Sequence, residues 1–194
     1  SFYGRSKSCS TIERALLFLG TETVKTIVIT TATKQFFNQF QTPDPSFLQK
    51  FWRRSLVAAN FAQVLATLTS YNSPDEAYLC GLLTDVGQLM LLSEHNDDYQ
   101  QLLNSTTNDK ALVCAEQAQL ATTHCDVAAK LVDSWSIGGF IADALRYHHQ
   151  DTDNIQDAHQ LVKIINLASQ ISTEGDVSQQ ALQSSYALFG LNES

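Results

Sequence analysis

Three histidines and one aspartate carry most of the chemistry this chain could do. Asp85 lies in the apolar run CGLLTDVGQLMLL, and His124, His148 and His149 follow on later segments. Imidazole and carboxylate are both common ligands of transition ions. They also have plainer uses. His124 can pack or cap near a helix start, and His148 can hydrogen-bond a carbonyl at a helix end, where the dipole favours a cation. Asp85 has three readings: metal ligand, cap of the helix opening at Gly87, or charge partner of Arg54, whose guanidinium fork matches a carboxylate. Arg53 and Arg54 could instead meet a phosphate, but helix neighbours point about 100° apart, so only one enters a given pocket. His95 and His159 stand among polar residues and read as solvated.

Other reactive constellations are not evident: no Gly-rich phosphate loop, Ser-His-Asp set or Cys-His dyad stands out. The four cysteines (Cys9, Cys80, Cys114 and Cys125) form no Cys-x-x-Cys pair, which argues against structural zinc and a disulfide framework. Cys80 and Cys114 fall in apolar helical patterns and read as buried thiols. A reducing cytoplasm suits them.

The elements that must position these residues read as helices. Ile12, Ala15, Leu16 and Leu19 predict a short helix ending at Gly20. Thr21 to Phe40 is rich in β-branched residues and could pass for a strand, yet Val24, Ile27, Val28, Thr31 and Gln35 share one helical face and no partner strand is evident. Gln41 to Pro45 is a loop, with Asp44 capping a helix that runs from about Pro45 to Ser70. Its buried stripe is Leu48, Phe51 or Trp52, Ser55, Ala59, Ala62 and Ala66. Ser73-Pro74-Asp75-Glu76 predicts a capping box for the helix leading into Thr84-Asp85. Ser93 to Asn108 reads as a polar surface segment docked by Tyr99, Leu102 and Leu103. Later helices follow from Lys110, from a cap at Thr122 or Thr123, from about Ile141 to His148, and from Leu161 to Ile171, with a break at Ser136 to Gly139. Trp52 and Trp135 read as core. Tyr186, Leu188, Phe189 and Leu191 predict a docked terminal helix.

With 194 residues, 44% hydrophobic and 16% charged, the chain can bury a core as one domain. Its net charge of −8 and pI near 4.9 make nucleic acid a poor partner, because phosphate neutralisation dominates that affinity. Lys50 to Arg54 and Arg5/Lys7 are the only dense basic spots. No apolar run is long enough for a membrane span.

Three stretches together resemble the HDOD domain, an HD-related output domain of bacterial signalling proteins. They are SFYGRSKSCSTIERALLFLG, then FWRRSLVAANFAQVLA with DEAYLCGLLTDVGQLML, and finally THCDVAAKLVDSW leading to IADALRYHH. LLTDVG in particular is similar to the LLHDIG segment of HD phosphohydrolases, where a His-Asp pair ligates metal. The resemblance spans residues 1 to about 172, leaves 173–194 as a C-terminal extension, and implies an all-α bundle lacking the family's N-terminal helices. It also implies a vestigial metal site: Arg54, Thr84 and Asn166 stand at ligand positions and only Asp85 survives.

The implied role is a non-catalytic signalling module without cofactor or metal, partnered by a sensor kinase, response regulator or cyclic-dinucleotide enzyme. Two alternatives remain. One is a metal-dependent phosphohydrolase or phosphodiesterase using Asp85, His124, His148 and His149. The other is a nucleotide-sensing pocket using Arg54 without turnover.

Overall fold

Two glycines decide how closely the helices around Asp85 approach. The structure, a computed structural model, describes residues 20–40, 45–137, 139–174 and 179–190. In chain order the helices are α1 (Thr21–Phe37), α2 (Pro45–Leu68), α3 (Pro74–Leu83), α4 (Val86–Ser105), α5 (Asp109–Leu120), α6 (His124–Ser134), α7 (Ile141–Tyr147), α8 (Gln160–Glu174) and α9 (Gln179–Phe189), with a 3-10 turn at Thr152–Ile155. No strand occurs among the described residues, and the fold is all-α.

The long helix α2 packs against α3 and α8. It buries Phe51, Ser55, Ala58, Ala59, Ala62 and Ala66, and its small side chains let α3 come close. A Cβ on Gly81 would stand 2.6 Å from the Ala59 Cα, so no larger residue fits this crossing. The start of α4 meets the start of α6 in the same way: a Cβ on Gly87 would lie 2.0 Å from the His124 carbonyl oxygen. That contact sets Asp85, two residues earlier, beside His124.

Leu83, Leu89, Leu145, Leu161, Ile164 and Ile165 belong to the main core, each worth about 1.5–3 kcal/mol when fully buried. A smaller cluster of Leu91, Leu92, Tyr99, Leu102 and Leu112 ties α4 to α5. The helices that carry the site start at side-chain caps. Asn108 accepts from the Ala111 backbone N–H at 2.9 Å, opening α5. Thr123 accepts from the Asp126 N–H at 3.1 Å and donates to the Asp126 carboxylate at 2.8 Å, opening α6. An Ala at such a position costs about 1 kcal/mol.

Several sequence expectations need correction. Ser93 to Asn108 is largely helix, because Tyr99 and Leu102 bury against α5; the chain bends at Asn96, where φ is 41°. The predicted face of α1 is wrong: Ile27 and Val28 are exposed, and Thr33 and Phe37 turn inward instead. Pro74 opens α3, but Ser73 makes no side-chain cap bond and Glu76 instead accepts from the Tyr71 hydroxyl at 2.8 Å. Trp135 is exposed, set edge-on to Phe36, and Cys114 is exposed on the outer face of α5. His159 is not merely solvated, since its ring stacks on Phe140 at 3.6 Å. The expected helix before Gly20, the Asp44 cap, Gly138, and the docking of Leu191 lie outside the described residues.

Candidate functional site

Arg54, near the middle of α2, is the first residue to place. Its Nη1 and Nη2 donate to the two carboxylate oxygens of Asp109 at 3.0 and 2.7 Å, the paired geometry that makes guanidinium–carboxylate contacts strong. Its Nε stands 2.9 Å from Asp85 Oδ2; that N–H is not aimed at a hydrogen-bond acceptor, so the contact is an ion pair alone. Thr173 donates to Asp109 at 2.7 Å, bringing α8 into the same corner.

Asp85, at the junction of α3 and α4, is buried and accepts from the Gln88 side-chain amide at 3.2 Å. Burial would raise its pKa, but Arg54 and then His148 and His124 outweigh that, holding the carboxyl well below the ordinary range. Asp85 makes no side-chain bond to cap α4. Of the three uses open to it, partnership with Arg54 is the one the geometry displays.

The other positions of the HD pattern are engaged elsewhere. The Thr84 hydroxyl donates to the Gly81 carbonyl at 2.9 Å. Asn166 on α8 donates to the carbonyls of His148 and Gln150 at 3.1 and 2.9 Å, and accepts from Gln170 at 2.9 Å. It therefore clamps the end of α7. A guanidinium beside the surviving carboxylate, a hydroxyl tied to its own helix and an amide tied to backbone do not fit the divalent ion of an HD hydrolase.

The histidines do converge. His124 opens α6, and His148 and His149 follow α7; their rings stand 3.9 to 5.5 Å apart, centroid to centroid. His124 Nδ1 donates to the fully buried Glu116, 2.8 Å from Oε2, and the His124 backbone N–H donates to the same carboxylate at 2.9 Å. Tyr99 donates its hydroxyl to Glu116 as well. His148 Nδ1 donates to the Leu145 carbonyl at 2.6 Å. With both Nδ1 atoms acting as donors, Nε2 is in each ring the nitrogen left to face the cluster.

Cys125 completes the group: its Sγ lies 3.6 Å from His124 Nε2. The sequence reading found no Cys-His dyad, and this one was hidden because adjacent residues rarely share a target. Here they occupy the first two positions of α6, where both side chains can turn into the same space. Burial would raise the Cys125 thiol, but His148 and His124 draw it down to about 6. His149 is pushed well below its usual value by burial and by the two neighbouring imidazoles.

The expected alternative metal set was Asp85, His124, His148 and His149. The set whose ligand atoms converge, all within 4.8 Å of one another, is His124, Cys125, His148 and His149. Asp85 falls outside it, with Oδ1 3.8 Å from His148 Nε2 and 4.0 Å from His124 Nε2. Asp109, Glu116 and Cys125 are the residues that sequence reasoning missed. Asp109 opens α5 and Glu116 lies two turns further along the same helix, a spacing that gave no local pattern pointing to either.

Comparison with known proteins fits this geometry. A search of curated proteins finds no match. Among solved structures, an HDOD domain protein of unknown function from Geobacter sulfurreducens superposes with a TM-score of 0.75 at 22% identity, covering 99% of this chain and 70% of that one. A conjectured phosphohydrolase from Shewanella amazonensis SB2B gives a TM-score of 0.74 at 20% identity, covering 96% and 70%. The MmoQ response regulator of Methylococcus capsulatus str. Bath gives 0.60 at 25% identity, covering 75% and 57%. The first two likenesses are of fold alone. The family model of the HDOD domain matches residues 1–151, most of the 194-residue chain, and the chain therefore belongs to the HDOD family.

Proposed function

We propose that this chain is a non-catalytic regulatory module of bacterial signal transduction, acting in the cytoplasm by binding another signalling protein: a sensor kinase, a response regulator or a cyclic-dinucleotide enzyme. The observation that carries this reading is the Arg54 guanidinium standing against Asp85 and Asp109. A fixed positive charge repels a divalent ion from the carboxylate that would otherwise bind it, and without the ion no metal-bound water is activated for phosphoester hydrolysis. The likeness to the MmoQ response regulator supports a signalling context. Among the described residues no helix is long and apolar enough to cross a membrane. The nucleotide-sensing alternative draws less support, because both outer nitrogens of Arg54 already donate to Asp109.

The test is a phosphodiesterase and phosphatase assay on bis-p-nitrophenyl phosphate and p-nitrophenyl phosphate with Mn²⁺, Mg²⁺ or Fe²⁺ added. No turnover above the metal-only background is expected. Metal-dependent turnover that disappears in Asp85→Asn would overturn the reading.

A further inference from the structure

The His124 corner contains buried ring nitrogens without a hydrogen-bond partner. His148 is fully buried, and its Nε2 has no hydrogen-bond partner; His149 Nε2, also buried, has none. An unpartnered polar atom in a protein interior is costly, so two in contact call for a ligand. We propose that His124, Cys125, His148 and His149 form a closed four-ligand site for a borderline-soft divalent transition ion of the zinc class. This inference goes beyond the regulatory reading and does not depend on it.

Three independent features point to that chemistry. The first is spacing. A tetrahedral ion bound about 2.0–2.1 Å from nitrogen and about 2.3 Å from sulfur holds those two atoms about 3.6 Å apart, and the Cys125 Sγ to His124 Nε2 distance is 3.6 Å. The second is orientation. Metal-bound histidines characteristically donate their remote N–H to a carboxylate or a backbone carbonyl, which fixes the tautomer and turns the other nitrogen toward the ion. His124 does so to Glu116 and His148 to the Leu145 carbonyl, in both cases leaving Nε2 to face the cluster.

The third feature is donor type. Three imidazoles and a thiolate select zinc-class ions over Mg²⁺ or Ca²⁺, which require oxygen ligands. Four protein ligands also fill a tetrahedral shell, leaving no position for a reactive water. The site is therefore one of structure or sensing. Asp85 supplies negative charge 3.8–4.0 Å from two of the ligand nitrogens, outside the shell. An ion has a way in, because His149 lines clefts on both sides of it, one bordered by Asp109, Gln150 and Asn166 and the other by Cys125, Asp126 and Arg146.

The experiment is an anaerobic titration of the reduced full chain with Co²⁺, followed by back-titration with Zn²⁺. One equivalent of Co²⁺ should give visible bands of tetrahedral intensity together with a near-ultraviolet thiolate-to-cobalt charge-transfer band, and Zn²⁺ should bleach both. Cys125→Ser should lose the charge-transfer band, while Cys114→Ser, on the exposed face of α5, should keep it. His149→Ala, at the half-buried margin of the cluster, is the variant best able to stay folded. It should weaken binding at least about tenfold, with circular dichroism confirming its helicity. Absence of saturable Co²⁺ binding, an octahedral spectrum without thiolate charge transfer, or a charge-transfer band that survives Cys125→Ser would each overturn the proposal.

Discussion

The Arg54 corner and the His124 corner lie on opposite sides of Asp85 and are satisfied in opposite ways. On the α2 side, one guanidinium meets two carboxylates, with Thr173 and Gln88 completing the acceptors. Negative charge is offset there by the chain itself, one cation against two carboxylates. On the α6 side, the outer ring nitrogens are fixed by Glu116 and the Leu145 carbonyl, while Nε2 of His148 and of His149 has no hydrogen-bond partner. The first corner has taken its counter-ion from the sequence, and the second is arranged for one from solution. One corner is closed by its own ion pairs, and the other has the orientation that metal ligands need.

The most severe way to break the comparison is Gly87→Ala, because Gly87, two residues after Asp85, sets how closely α4 approaches the start of α6. Its added methyl would meet the His124 backbone oxygen at 2.0 Å. Overpacking usually costs about 1–3 kcal/mol, and a clash with backbone exceeds that range. We expect a loss of at least about 4 kcal/mol, a large share of the stability of an ordinary domain. A urea melt followed by circular dichroism checks this. A change below about 1 kcal/mol would mean that α4 and α6 do not approach as described.

Arg54→Met attacks one corner alone. It strands Asp85 in the interior and removes the main partner of Asp109, and breaking a buried pair by deleting one member costs about 3 kcal/mol or more. The double variant Arg54→Met/Asp85→Leu should recover more than half of that loss, since an apolar replacement of a buried pair is often close to neutral. If the double variant is no more stable than the single one, the ion pair is not the source of the effect.

These effects also show what could and could not be read from the chain. The bundle was legible because helix formers, three prolines and apolar residues at spacings of three and four left little room for sheets. Thr21–Phe37 is a helix despite its β-branched residues, but its inward face could not be derived, since apolar residues there point both ways. In the segment after Ser93 the docking residues Tyr99 and Leu102 were read from the sequence and are buried, while its helix was not, because polar residues surround them and the chain bends at Asn96. At the site, Arg54 and Asp85 could be paired from motif positions alone. Asp109 and Glu116 could not, because their roles come from the placement of α5 against α2 and α6, a tertiary fact with no local signature. Cys125 was passed over because a lone cysteine carries no spacing to read, and only folding shows that His148 and His149 reach it.

The smallest effect is the sharpest discriminator, because each corner depends on its own helix cap. Asn108 caps the helix that begins with Asp109, and Thr123 caps the helix that begins with His124 and Cys125. Deleting either cap as Asn108→Ala or Thr123→Ala should cost about 1 kcal/mol, which lowers Tm by about 2–4 °C in a chain of this length. Globally the two variants should look alike. Locally they should differ: freeing the first turn of α6 disorders two of the four proposed ligands, whereas freeing the first turn of α5 loosens only the partner of Arg54. Co²⁺ affinity should therefore fall in Thr123→Ala and stay within error in Asn108→Ala at matched stability. Equal losses of affinity would make the two corners one cooperative unit. A loss confined to Thr123→Ala would establish that the histidine–cysteine corner is set by α6 alone, independently of the ion pair on the other side of Asp85.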